Sequence, residues 1–114
     1  MIPDTKINAA RADAELSDII RALTPAFEED GHILKAILFG SCVRGEATVT
    51  SDIDIAVISD APSEIDRRRL IYIAESFGVD VDFVYTTPKL LYQAENVLDI
   101  NYSIRTEGVT IWER

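Results

Sequence analysis

What this chain of 114 residues has little of narrows its chemistry first. Cys42 is the only cysteine, which excludes an internal disulfide and a cysteine-rich zinc site and fits a reducing compartment. His32 is the only histidine, and a lone ligand type with no second His or Cys nearby gives it no expected metal or catalytic role. Basic residues are scarce: 11 Lys and Arg stand against 20 Asp and Glu, a formal net charge of −9. Affinity for a nucleic-acid backbone comes mainly from Lys and Arg neutralising phosphates, so direct nucleic-acid binding is not expected, whereas a basic protein partner or cations fit. Long apolar runs are missing too. No stretch approaches the roughly 20 residues that span a bilayer. The start, Met1-Ile2-Pro3-Asp4-Thr5-Lys6, has neither the basic nor the apolar region of a signal peptide, so the expected location is cytoplasmic. With no repeat, low-complexity tract or linker, residues 1–114 read as one domain.

What is there is a globular composition, 47% hydrophobic, in a chain able to bury roughly two-thirds of its unfolded surface. That size is too small for a two-domain enzyme, so a second substrate has to be presented by another molecule. Residues 5–22 place Ile7, Ala10, Ala14, Leu16, Ile19, Ile20 and Leu23 at helical spacing, and Thr24-Pro25 reads as the N-cap and first position of a second short helix, or as the kink of a single one. Ile33 to Phe39 reads as a buried strand ended by glycine, and Asp52 to Ile58 as a second strand after the polar loop Glu46 to Ser51. Ser63 is expected to cap a helix reaching about Phe77, with Asp66 three residues on, that buries Ile65, Leu70, Ile71, Ile73 and Ala74. Its Arg67-Arg68-Arg69 run reads as a solvated face, with phosphate or partner contact as the alternative. Val79 to Tyr85 alternates as a third strand, Lys89 to Glu95 and a segment ending near Glu107-Gly108 read as helices, and Val109 to Trp112 as an edge strand. Tyr92, Tyr102 and Trp112 read as core or interface residues.

The chemistry concentrates in one stretch. Ile37-Leu38-Phe39 breaks on Gly40-Ser41, ten residues intervene, and Asp52-Ile53-Asp54 heads the second apolar run. Glycine permits close backbone approach, and the Ser41 to Arg44 turn can offer N–H groups and a hydroxyl to phosphate oxygens. Side chains alternate along a strand, so Asp52 and Asp54 share a face, where two carboxylates repel unless a cation lies between them. Divalent cations are the economical answer. Asp82, on a later apolar strand, poses the same problem and takes the same solution, and Asp80 competes with it because both have the same parity.

Gly40-Ser41-Cys42-Val43-Arg44-Gly45, the Asp52-x-Asp54 pair separated from Ser41 by ten residues, and a third acid on a later strand together resemble the minimal nucleotidyltransferases (MNT) of the DNA polymerase β-like superfamily, over Ala36 to about Tyr85. The resemblance implies an α/β (α+β) fold, a small mixed β-sheet of the polymerase β-like palm type with helices packed on one face. It implies phosphate contacts from Gly40, Ser41 and Arg44. It also implies two Mg²⁺ ions held by Asp52, Asp54 and Asp82, which would be the catalytic set, and ATP as substrate. Cys42 stands where many relatives carry Arg, which removes one phosphate contact. Small members of this family are commonly paired with a HEPN-domain toxin as antitoxins and transfer AMP to a toxin tyrosine. The resemblance therefore implies a HEPN partner. A binding-only antitoxin, or transfer to a small molecule or an RNA end, are the alternatives.

Overall fold

A computed structural model of the chain describes residues 5–40, 43 and 53–114, with side chains from residue 16 onward. The order of elements is helix α1 (Thr5–Glu29), strand β1 (Ile33–Phe39), strand β2 (Ile53–Ser59), a 3₁₀ turn at Pro62–Glu64, helix α2 (Arg67–Glu75), strand β3 (Val81–Thr86), helices α3 (Pro88–Gln93) and α4 (Ile100–Glu107), and strand β4 (Val109–Glu113). The strands form one sheet in the order β3-β2-β1-β4. β1 is antiparallel to both β2 and β4, while β2 and β3 are parallel. The sheet is thus mixed, as expected for this α/β chain. A parallel pair needs a long crossover, and α2 provides it.

Alternation along the strands sorts the apolar side chains into two cores. Ala36 and Leu38 of β1 and Ile53, Ile55 and Val57 of β2 meet Ile19, Leu23 and Phe27 of α1 and Leu70 of α2. Ile37 and Phe39 of β1 and Ala56 and Ile58 of β2 point the other way, onto Leu91 of α3 and Ile104 of α4. The helical layer expected on one face therefore consists of α1 and α2, and α3 with α4 adds a smaller cover to the opposite face. On that second face Thr86 donates from Oγ1 to Asn101 Oδ1 at 2.6 Å, tying β3 to α4.

Three sequence expectations change in detail. Of the two readings of Thr24-Pro25, the start of a second helix gives way to the single helix: α1 runs through Pro25 to Glu29. An interior proline costs a helix about 3 kcal/mol. Continuing past it buries Phe27 completely and Ala26 to 2% exposure, and each large apolar side chain sealed from water returns about 1.5–3 kcal/mol. Packing therefore outweighs propensity, and Thr24 keeps its hydroxyl within the helix by donating to the Ile20 carbonyl at 2.8 Å. Ser63 is not the cap of α2. Pro62–Glu64 forms the 3₁₀ turn, and Asp66 is the N-cap, accepting from the Arg69 N–H at 3.2 Å. Ile71, expected to be buried, is 43% exposed.

The end of α1 is fastened from two sides. Asp30 accepts the His32 N–H through Oδ1 at 3.1 Å and the Asp66 N–H through Oδ2 at 3.2 Å, and Arg69 pairs with Glu29 at 2.6 Å. Arg114, just past β4, donates to the carbonyls of Phe27 at 2.9 Å, Asp30 at 2.8 Å and Ile33 at 2.9 Å, with its guanidinium 5.1 Å from the Trp112 ring centre. A cation on terminal helix carbonyls is favoured by both hydrogen bonding and the helix dipole. Arg114→Ala is therefore expected to lower stability by about 2 kcal/mol in urea unfolding, the scale of charge-assisted hydrogen bonds, while Arg114→Lys recovers only part of it because one ammonium cannot reach three carbonyls.

Tyr85 presents a different balance. Its ring stacks on Phe83 with centroids 6.4 Å apart and lies under the Arg67 guanidinium at 4.0 Å, yet its hydroxyl is buried with no hydrogen-bond partner among the described residues. Burial pushes the hydroxyl above its ordinary value of 10.0, and the Arg67 charge opposes that rise. The folded chain thus holds this proton to higher pH than the unfolded chain, so stability is unaffected below pH 10 and falls as pH climbs from there. Tyr85→Phe should abolish that alkaline fall and change stability at pH 7 by less than about 1 kcal/mol, since no hydrogen bond is lost; unfolding curves at the two pH values read both effects.

Candidate functional site

Strand directions decide where the expected site residues meet. β2 runs antiparallel to β1, so its amino end lies beside the carboxyl end of β1, and β3, parallel to β2, brings its own amino end to the same place. Gly40 follows β1 directly, Asp54 is the second residue of β2 and Asp82 the second of β3. Phe39, Asp54 and Asp82 are aligned across the three strands, Phe39 with Asp54 and Asp54 with Asp82. Neighbouring strands lie about 4.8 Å apart, and aligned residues of a parallel pair share a face. The register therefore sets two carboxylates side by side, Asp54 half-buried and Asp82 exposed. Like charges so placed repel, which is the environment that a hard divalent cation with oxygen ligands relieves.

Gly40 completes this corner by what it lacks. Its φ is +84°, a left-handed conformation that favours glycine. A Cβ at this position would collide with Asp54 Oδ2 and lie 3.3 Å from its Cγ. The Asp54 carboxylate thus occupies the space beside the Gly40 backbone. The Val43 N–H donates to the Gly40 carbonyl at 3.1 Å.

Asp80, the competitor of Asp82, precedes β3, and its backbone carbonyl accepts the Ile53 N–H at 3.0 Å. Both acids line a cleft of about 200 Å³ between α2 and β3, together with Ile71, Ala74, Glu75 and Val79. Glu75 went unnoticed in the sequence. It is the last residue of α2, and only the crossover geometry brings it near the two aspartates. Asp52, Ser41 and Arg44 lie outside the described residues, as does Cys42. Among the described residues no group of three or more His, Cys, Asp or Glu is placed to hold a metal ion, and the expected three-acid set is represented there by Asp54 and Asp82. These two, in register on one face, carry the oxygen donors that a Mg²⁺ ion takes.

The remaining expected residues lie elsewhere. His32 is exposed at the opposite end of the sheet and lines a cleft of about 330 Å³ with Glu29, Asp30, Asp66 and Arg69. The Arg67-Arg68-Arg69 run is exposed, and two of its members are engaged with the protein's own groups: Arg67 with Tyr85, Arg69 with Glu29.

A family model described as a nucleotidyltransferase domain matches residues 20–106. Among solved structures, a toxin-antitoxin crystallised with AMP-PNP is 28% identical, with 83% of this chain and 73% of that chain covered and a TM-score of 0.60. A variant of the toxin-antitoxin MntA-HpeT is 29% identical, with 86% and 72% covered and a TM-score of 0.50. A Sulfolobus solfataricus protein assigned as a nucleotidyltransferase covers 100% of this chain and 91% of its own at 19% identity and a TM-score of 0.55, a likeness of fold. No curated protein sequence matches the chain significantly.

The contact between Gly40 and Asp54 can be weighed by a double-mutant cycle. Gly40→Ala should destabilise the protein by about 1–3 kcal/mol through strained φ and collision with Asp54. Adding Asp54→Ala should restore the collision part and leave the φ part, giving a coupling of about 1 kcal/mol in urea unfolding.

Proposed function

The chain belongs to the nucleotidyltransferase-domain family, and from that premise we propose that it transfers AMP from ATP to a partner protein, acting in the cytoplasm as the antitoxin of a toxin-antitoxin pair. The observation that carries this reading is the alignment of Asp54 with Asp82 beside Gly40, at one end of the sheet. The similarity to a toxin-antitoxin crystallised with AMP-PNP supports the nucleotide and the biological setting. The acceptor is a tyrosine hydroxyl of a HEPN-domain toxin. This chain supplies the nucleotide half of the site, and its partner supplies the acceptor.

In the reaction the acceptor oxygen attacks the α-phosphorus of ATP, a new P–O bond forms, the bond between the α-phosphorus and its bridging oxygen to the β-phosphate breaks, and pyrophosphate leaves. Asp82, exposed at the sheet edge, takes the hydroxyl proton. Asp52, Asp54 and Asp82 would hold two Mg²⁺ ions, which supply charge neutralisation to the attacking and leaving oxygens when bound. Gly40, Ser41 and Arg44 would be the phosphate contacts, through backbone N–H groups, a hydroxyl and a guanidinium. Asp54 is held in place by β1 on one side and β3 on the other, so it acts from a rigid element.

The test is label transfer from radioactive ATP to the purified HEPN partner in the presence of Mg²⁺. Asp54→Asn and Asp82→Asn are each expected to reduce transfer by about 10²-fold or more. EDTA should abolish transfer and added Mg²⁺ restore it. Undiminished labelling by the two variants would refute the assignment. Neutralisation of the toxin in cells by the same inactive variants would replace it with a binding-only antitoxin.

A further inference from the structure

Between Leu90 and Ile100 the chain leaves apolar side chains bare. Leu90 is 56% exposed, Val97 68% and Leu98 90%. Single exposed apolar residues are ordinary, but these sit on a built platform. In the turn joining α3 to α4, Asn96 accepts the Leu98 N–H through Oδ1 and the Asp99 N–H through its carbonyl, both at 2.9 Å. Asp99 in turn caps α4 by accepting the Asn101 N–H at 2.9 Å. Arg105 of α4 donates to the carbonyls of Leu91 at 3.2 Å and Tyr92 at 3.0 Å, which fixes α3 against α4. Val97 and Leu98 are therefore presented outward by a hydrogen-bonded turn, and preorganised apolar surface of this kind lowers the ordering cost of association. Leu91 and Ile104 beneath it pack on Ile37, Phe39, Ala56 and Ile58, on the sheet face to which Asp54 and Asp82 belong by alternation.

Charge selects the occupant. From Ala94 to Ile104 the chain carries Glu95 and Asp99 and no Lys or Arg, and the guanidinium of Arg105 is engaged on the carbonyls of α3. A second copy docking through the same surface by a two-fold axis would set these carboxylates against themselves in a chain of net charge −9. An apolar patch bordered by Lys or Arg satisfies both features of the turn. We propose that the α3–α4 turn, with Val97 and Leu98 at its tip, is the docking surface for the acceptor protein, which brings to it an apolar patch fringed by basic side chains. This rests on the transfer reaction proposed above.

The test titrates the HEPN partner of that reaction into the full chain and into Val97→Ser/Leu98→Ser by calorimetry, with sedimentation of each chain alone. The double variant is expected to bind at least about tenfold more weakly, with ATP binding and unfolding midpoint as in the wild type. Leu90→Ser reads the same surface independently should the double variant fail to fold. Glu95→Lys is expected to weaken binding, and a gain in affinity would overturn the basic fringe. Equal affinity of wild type and double variant overturns the docking surface while leaving the transfer reaction standing. Failure of the wild type both to bind and to label the partner overturns the reaction itself, and the docking surface with it. A wild-type dimer that the double variant converts to monomer would make this surface a self-interface and overturn the proposal.

Discussion

β2 has an antiparallel neighbour on one side and a parallel one on the other, and its register with both governs the rest of the molecule. A slip of one residue would turn Ile53, Ile55 and Val57 out of the core beneath α1 and bring Asp54 into it. The apolar alternation that prevents this slip is the same alternation that delivers Asp54 to the opposite face, next to Asp82. Packing and placement of the carboxylates are therefore one constraint. The polar corner is bought by the burial of Ile55, Ala56 and Val57, each at 0% exposure, immediately downstream.

The corner also joins elements distant in sequence. Gly40 ends one strand, Asp54 begins the next, and Asp82 arrives only after the α2 crossover. Each comes from a regular strand or its immediate end, where backbone hydrogen bonds fix position better than a loop does. Asp54 and the Gly40 backbone are matched in shape, since the space that a Cβ would take at position 40 is already filled by the carboxylate.

Much of this was legible beforehand. β1 has the bounds read from the sequence, the strand at Val109 lies at the sheet edge, and Val84 falls on the face opposite Val81, Phe83 and Tyr85 as the alternation required. Strands announce themselves through a period of two and through flanking glycine, both local signals. The errors arose where a local signal met a tertiary one. Pro25 reads as a boundary until Phe27 and Ala26 are seen to need a continuous helix. Ser63 and Asp66 are both good caps, and the 3₁₀ turn between them decides for Asp66. At the site, the parity of Asp80 and Asp82 could not separate them, because parity is shared and strand register is not a local property. Glu75 carried no signal of its own, since its proximity to these aspartates exists only through the crossover.

The arginines have a consequence of another kind. Arg67 lies on the Tyr85 ring, Arg69 on Glu29, Arg105 on the carbonyls of α3 and Arg114 on those at the end of α1. Of these contacts the Arg69–Glu29 pair alone joins opposite charges, and in a chain with 11 basic residues against 20 acidic ones the excess carboxylates set the sign of the outward field. Such a field extends several ångströms into solvent at physiological ionic strength. It concentrates cations around the protein and speeds encounter with positively charged molecules before any contact forms.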